Sequence, residues 1–247
     1  MSLEIEGVTK RFGGLVAVDQ VTFQVGEREI VGLIGPNGAG KTTLFNVIAG
    51  VLPPNEGRVR FRGLDVTGLG TARICGLGLA RTFQIPQPFG SMTVLEATMV
   101  GALRRTADIA AARAKAGEVI RRVGLEGREA QATATLTTAG HKRMEVSRAL
   151  ATEPSMILLD EVMAGLNRAE TAEILELIGQ LRDEGVTILL VEHNLEAVMK
   201  VCDRIVVIDH GALIAEGLPN EVVNDPEVVR AYLGDDSLDE GADHAVG

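Results

Sequence analysis

Eight consecutive residues carry the strongest chemical signal in the chain: Gly35-Pro36-Asn37-Gly38-Ala39-Gly40-Lys41-Thr42. They match the G-x-x-x-x-G-K-[ST] spacing of a phosphate-binding loop. Gly35, Gly38 and Gly40 let the backbone bend tightly and come close to phosphate oxygens. Successive N–H groups then converge on an anion, and the N-terminus of the following helix adds partial positive charge. Lys41 is placed to reach the β- and γ-phosphates. The Thr42 hydroxyl is a ligand for Mg²⁺, and Thr43 continues the binding stretch into the helix. The apolar run 30–34 precedes the loop and a helix-like segment, 43–49, follows it. Strand, glycine-rich loop and helix in that order predict a nucleoside triphosphate site.

Three further apolar runs also end in polar residues. Residues 156–159 end in Asp160-Glu161, 186–191 in Glu192-His193, and 205–208 in Asp209. Runs that are apolar throughout are those of parallel strands buried on both faces. In an open α/β sheet the ligand crevice lies at the carboxyl edge of such strands. Asp160 is then placed to hold the Mg²⁺ shell, Glu161 to polarise an attacking water, and His193 to contact the γ-phosphate. Each pair alone could be a solvated strand end. Their convergence on the edge that carries a phosphate loop favours the functional reading. Phe12, in the stretch Arg11-Phe12-Gly13-Gly14, has two readings: a core plug at a turn, or a flat platform for a nucleobase. Gln84 sits where a strand gives way to a proline-flanked loop, and by itself carries no functional reading.

The elements that position these groups follow from periodicity. Residues 3–8, 17–25 and 58–62 read as strands. Residues 107–123 repeat apolar side chains every three or four positions and read as a helix ended by Gly124. No strand signal appears between Met92 and about Leu150, which reads as a helical insertion of about 60 residues. A helix over 141–151 follows Leu136-Thr137-Thr138-Ala139-Gly140. An amphipathic helix spans 168–183, capped by Asn167 with Glu170 three residues on. Asp209-His210-Gly211 marks a hairpin turn to a strand over 212–216. Short helices are predicted at 219–224 and 226–233. Beyond Gly234 the acidic residues predict a disordered tail.

The 247 residues are 46% hydrophobic but only 3% aromatic, so the core is aliphatic. The net charge of −10 argues against general nucleic-acid binding, which favours a basic face. Cys75 and Cys202 stand far apart without metal-ligand spacing, as in a reduced compartment. Residues 1–9 lack the pattern of a signal peptide, and no apolar stretch approaches the roughly 20 residues that span a bilayer. These features predict a soluble, cytoplasmic chain.

With these residues in hand, the chain resembles the ATP-binding subunit of ABC transporters over residues 1–234. The resemblance lies in the order phosphate loop, Gln84, helical insertion, signature, Asp160-Glu161 and His193. It implies an α/β fold: a P-loop NTPase core with a mostly parallel sheet, N-terminal antiparallel strands and an inserted helical subdomain. The core would comprise 1–91 and 153–234, the insertion about 92–152, and the tail 235–247. The resemblance implies that Phe12 stacks on adenine, that Gln84 senses the γ-phosphate and Mg²⁺, that Glu161 is the catalytic base and that His193 is the switch. Leu136 to Gly140 stands at the signature position, where the family has Leu-Ser-Gly-Gly-Gln, so Thr138 and Ala139 replace glycines. In the family the signature acts on the partner's ATP, which implies a heterodimer with unequal sites. The motifs Arg81-Thr82-Phe83-Gln84, Glu192-His193-Asn194 and Ala231-Tyr232-Leu233-Gly234 are similar to those of the first ATPase subunit of branched-chain amino acid importers. Importers of urea, short amides and aromatic acids share this look. The implied partners are a second ATPase subunit, two membrane permeases and, indirectly, a solute-binding protein, with ATP and Mg²⁺ bound at the cytoplasmic face of the membrane.

Three rivals predict other features. A soluble ABC ATPase of DNA repair or translation would show a basic face or a second ATP domain. A small-molecule kinase would need neither the signature stretch nor His193. A nucleotide-binding scaffold would not need Glu161 and His193 together.

Overall fold

The computed structural model describes residues 1–82 and 91–239. Strand β1 (Leu3–Phe12) turns through Gly13-Gly14 into β2 (Leu15–Val25), paired from Leu3↔Val25 to Phe12↔Leu15 with register shifts between Ile5 and Val8, Val8 and Lys10, and Lys10 and Arg11. Leu3 and Ile5 alternate onto one buried face with Phe23 and Val25, and the irregularities on either side of Val8 bring Val8, Val18 and Val21 onto it as well. The chain then leaves this sheet as β3 (Ile30–Ile34), buried at every position, and enters α1 (Lys41–Ile48). It returns as β4 (Glu56–Phe61) and β5 (Leu64–Asp65), completing a four-stranded sheet in the order β2-β1-β4-β5.

After α2 (Thr71–Leu77) and β6 (Leu79–Arg81), the described chain between Met92 and Leu150 holds helices α3 (Val94–Ala102), α4 (Ile109–Arg122) and α5 (Thr138–Leu150) and no named strand. Then come β7 (Met156–Asp160), α6 (Arg168–Asp183), β8 (Thr187–Val191), α7 (Leu195–Val201), β9 (Arg204–Asp209) and β10 (Ala212–Gly217). Helices α8 (Pro219–Val222) and α9 (Pro226–Asp239) close the described chain. The second sheet runs β10-β9-β3-β8-β7-β6, parallel except for the β10 edge.

Successive residues of the central strands face opposite cores. Val31, Leu33, Met156, Leu158, Leu189 and Val191 pack with Leu3, Ile5, Phe61 and the α1 residues Leu44, Phe45 and Ile48. Ile30, Ile34, Ile157, Leu159, Ile188 and Leu190 pack with Ile120, Met144, Ile174 and Ile178 on the helical side. Helix α1 is therefore gripped between the two sheets, which fixes the loop at its start.

Some boundaries differ from expectation. Strand β1 runs on to Phe12 because Arg11 and Phe12 pair with Val16 and Leu15. Helix α5 begins at Thr138, not at His141, because the Thr137 hydroxyl accepts the Gly140 N–H at 3.2 Å and caps it. The predicted disordered tail is helical as far as Asp239, as a continuation of α9. Among the described residues, no helix is long and apolar enough to cross a membrane.

Candidate nucleotide site

The phosphate loop is shaped by two close backbone approaches. A Cβ on Gly35 would lie 2.0 Å from the Ile208 carbonyl oxygen, and one on Gly40, whose φ is 102°, would lie 2.2 Å from that of Ala17. Only glycine lets the loop sit against β9 and β2 in this way. Gly40 caps α1 without a side-chain hydrogen bond, so the first-turn N–H groups of α1 have no side-chain acceptor at the cap. Lys41 is 6% exposed, and its Nζ donates to the Gly35 and Pro36 carbonyls at 2.6 and 2.7 Å. The ammonium thus sits inside the loop, within reach of any anion held by the loop amides.

Parallel register aligns the other candidates with this loop. Leu33 pairs with Val191, and Asp160 with Val191 on the other side of β8. Asp160 is 1% exposed; its Oδ2 takes a 2.7 Å ion pair from Arg81, whose other terminal nitrogen donates to Asn46 of α1 at 2.6 Å. The second carboxylate oxygen, Oδ1, is buried and has no partner among the described residues. Glu161 follows with a left-handed φ of 50°. Its N–H donates to the Val191 carbonyl at 2.9 Å and its carbonyl accepts Lys142 Nζ at 2.7 Å. These contacts turn its carboxylate towards β8, where Oε1 meets His193 Nε2 at 2.8 Å. Glu192, between them in sequence, points inward. Its Oε1 accepts the Met163 N–H at 2.8 Å, and burial pushes its pKa up to about 7.

A cleft of about 970 Å³ opens over Glu161 and His193, with Asp160 buried outside its lining. Residues 36–43 of the loop, Phe12, Glu161 and His193 line it, together with Leu15, Val16, Asp209, His210, Gly211, Arg230 and Ala231. Phe12 is 46% exposed, so it is not a core plug. Gln84 lies outside the described residues. Leu136 to Gly140 are not part of this cleft. Thr137, Ala139 and Gly140 instead border a separate depression of about 480 Å³ with Arg121, Arg128 and Arg143. Sequence reasoning does not reveal the places of Arg81, Lys142, Glu192 and Arg230. Only the neighbourhoods of Arg81 to Gln84 and of Glu192 to His193 point towards two of them.

The donor set suits a hard divalent cation. A threonine hydroxyl at the loop and a carboxylate oxygen without a partner are oxygen ligands of the kind Mg²⁺ takes. Among the described residues no cluster of three or more His, Cys, Asp or Glu could hold a metal.

A phosphate loop on an α/β sheet, with an Asp-Glu strand end and a histidine beside it, defines a P-loop ATPase. Residues 18–164 match the family model described as ABC transporter, and residues 212–237 match that of the branched-chain amino acid ATP-binding cassette transporter. The chain belongs to the ABC transporter family, as an ATP-binding cassette. The high-affinity branched-chain amino acid transport ATP-binding protein LivG of Salmonella typhimurium is 40% identical over 94% of this chain and 98% of its own. BraF of Pseudomonas aeruginosa, which carries the same description, is 39% identical over the same shares. Among solved structures, a nucleotide-free ATP-binding cassette from an ABC transporter superposes with a TM-score of 0.87 at 33% identity, covering 94% of this chain and 98% of that one. An ADP conformation of such a cassette gives 0.86 at 34% identity, with the same coverage.

Proposed function

We propose that this chain hydrolyses ATP to drive an importer of branched-chain amino acids, peripheral to the cytoplasmic face of the membrane. The observation that carries the hydrolytic part is the Glu161–His193 pair, held over the cleft that the phosphate loop lines. The solute reading rests on the family match of residues 212–237 and on the named relatives.

In the mechanism, Lys41 exchanges its two loop carbonyls for phosphate oxygens, so its charge is delivered without a large movement. The loop amides and the start of α1 hold the remaining phosphate oxygens. Phe12 covers the adenine and Gln84 meets the γ-phosphate side. Thr42 and Asp160 would hold Mg²⁺, Asp160 through water. Bound there, Mg²⁺ would neutralise charge that develops on the phosphates. Glu161 orients the attacking water, and His193 fixes the rotamer of Glu161 and faces the γ-phosphate. Catalysis of this kind is positioning plus electrostatics.

The closing wall of the site comes from a second ATPase subunit, a heterodimer partner, whose signature faces this chain's nucleotide. This chain's own Leu136, Thr137, Thr138, Ala139 and Gly140 face the partner's nucleotide. Thr137 keeps a hydroxyl but spends it on capping α5, and Thr138 and Ala139 carry Cβ atoms where glycine permits close approach. The partner's site is therefore the slower of the two. Two permeases and a solute-binding protein complete the transporter. The chain contributes no nucleic-acid site.

Reconstitution in vesicles with two permeases, a second ATPase subunit and a solute-binding protein tests this reading. The expected result is ATP-driven uptake of leucine, isoleucine or valine. Uptake of urea, an amide or an aromatic acid instead would overturn the solute assignment. ATP turnover equal at both sites of the heterodimer would overturn the asymmetry.

A further inference from the structure

Helix α9 brings to the nucleotide cleft two groups that the mechanism above does not use. Arg230 and Ala231 line the cleft together with Lys41, Glu161 and His193. The next residue, Tyr232, is partly buried against the helical-side core, and its phenol oxygen faces the backbone amide of Gly35, the first residue of the phosphate loop. Burial raises the pKa of the phenol, so it stays a neutral hydroxyl at physiological pH. The helix is well anchored at its start, where the Asp225 carboxylate accepts the Glu227 N–H at 2.7 Å.

The charge of Arg230 stands out. It is the only lysine or arginine after Arg204, in a segment that carries ten acidic residues, Glu221, Asp225 and Glu227 among them. Its Nε donates to the Pro226 carbonyl one turn back at 3.1 Å. Its two terminal nitrogens take no partner among the described residues. A guanidinium fork on the wall of a phosphate-binding cleft matches the geometry of phosphate oxygens.

We propose that α9 is a wall of the nucleotide site: Arg230 pairs with the phosphate groups of bound nucleotide, and Tyr232, seated against Gly35, holds the helix in register with the phosphate loop. Tyr232 is a positioning residue, and Arg230 contacts the ligand. The inference rests on the nucleotide-binding reading of the cleft and extends it to a segment to which the family match attaches no role.

The chain has one tyrosine and no tryptophan, so its intrinsic emission reports Tyr232 alone. Wild type, Arg230→Gln, Arg230→Lys and Tyr232→Phe are titrated with ATP, ADP and AMP by calorimetry, and wild type also by tyrosine emission. Arg230→Gln is expected to weaken ATP binding about tenfold and AMP binding much less, as a lost charge-assisted phosphate contact does, with Arg230→Lys recovering part of the loss. Tyrosine emission changes with the same midpoint as the calorimetric binding, and Tyr232→Phe weakens ATP binding while its circular dichroism matches wild type. ATP affinity of Arg230→Gln within about twofold of wild type overturns the phosphate contact. Emission that ignores bound nucleotide overturns the seat of Tyr232. A wild-type chain that binds no nucleotide would overturn the nucleotide-site reading itself.

Discussion

His193 Nε2 lies 2.8 Å from Glu161 Oε1, although 32 residues and the whole of α6 separate them. The contact exists because β7 and β8 are adjacent and parallel, so both residues leave the same sheet edge. Glu161 is 17% exposed at its side chain and His193 47%, so the pair faces the cleft rather than the core. If Glu161 orients the attacking water, Glu161→Gln lowers kcat by about 10²-fold or more while ATP affinity stays within a few-fold of wild type. His193→Ala leaves Glu161 in place but unaligned, and its loss falls on kcat as well. Single-turnover ATPase assays beside nucleotide titrations check both. Wild-type turnover in Glu161→Gln would remove it from the base role.

Below that pair, Glu192 is 3% exposed and hydrogen-bonded to the backbone amides of Met163 and His193, with Lys142, Glu161 and Cys202 as its charged or titratable neighbours. Burial raises its pKa from an ordinary 4.5 to about 7. The folded chain therefore holds a proton that the unfolded chain has released, and stability falls as pH rises between those values. Glu192→Gln keeps an acceptor for Met163 and cannot ionise. Its stability relative to wild type should be flat below about pH 4.5, rise through the window and level off above about pH 7, gaining about 1–3 kcal/mol. Urea melts at stepped pH measure this, and parallel curves would refute it. Glu145, raised to about 7 by its own burial, keeps part of the slope in the variant.

Arg81 joins three elements: its guanidinium bonds Asp160 at the end of β7 and Asn46 of α1, from its place at the end of β6. The Arg81 and Asp160 side chains are 8% and 1% exposed. Removing one partner of a buried pair strands the other charge, so Arg81→Met should cost about 3–5 kcal/mol in nucleotide-free protein. Combining it with Asp160→Asn should cost less than the sum of the two single changes. Denaturant midpoints of the four proteins close this cycle; strict additivity would show that the pair does not interact.

This network also shows where the sequence falls silent. The buried strands are legible because an uninterrupted apolar run has one plausible place, the middle of a covered parallel sheet. Helix α6 is legible to the residue, since Asn167 and Glu170 form the predicted capping box at its start. What links Arg81 to Asn46 and Asp160 is strand order, which no local pattern encodes. The same holds for Lys142, whose ammonium crosses from α5 to the Glu161 carbonyl. The helical course of 234–239 escapes a reading by composition, which weighs charge and does not register the helix already begun at Pro226.

The two inner glycines of the phosphate loop offer a contrast that separates backbone strain from collision. Gly38, at φ 78°, would present an added Cβ to open space, with nothing within 4 Å, whereas Gly40, at φ 102°, would drive its Cβ to 2.2 Å from the Ala17 carbonyl oxygen. Gly38→Ala therefore meets only the cost of a left-handed alanine, about 1 kcal/mol, and should melt close to wild type. Gly40→Ala must in addition push the loop away from β2, and with it the N-terminus of α1 and the Lys41 ammonium. Its nucleotide affinity should fall at least about tenfold, well beyond that of Gly38→Ala. Calorimetric titration with ATP beside thermal melting separates the two contributions. Equal affinities in the two variants would mean that the approach of Gly40 to Ala17 does not shape the site, and that left-handed backbone alone sets the loop.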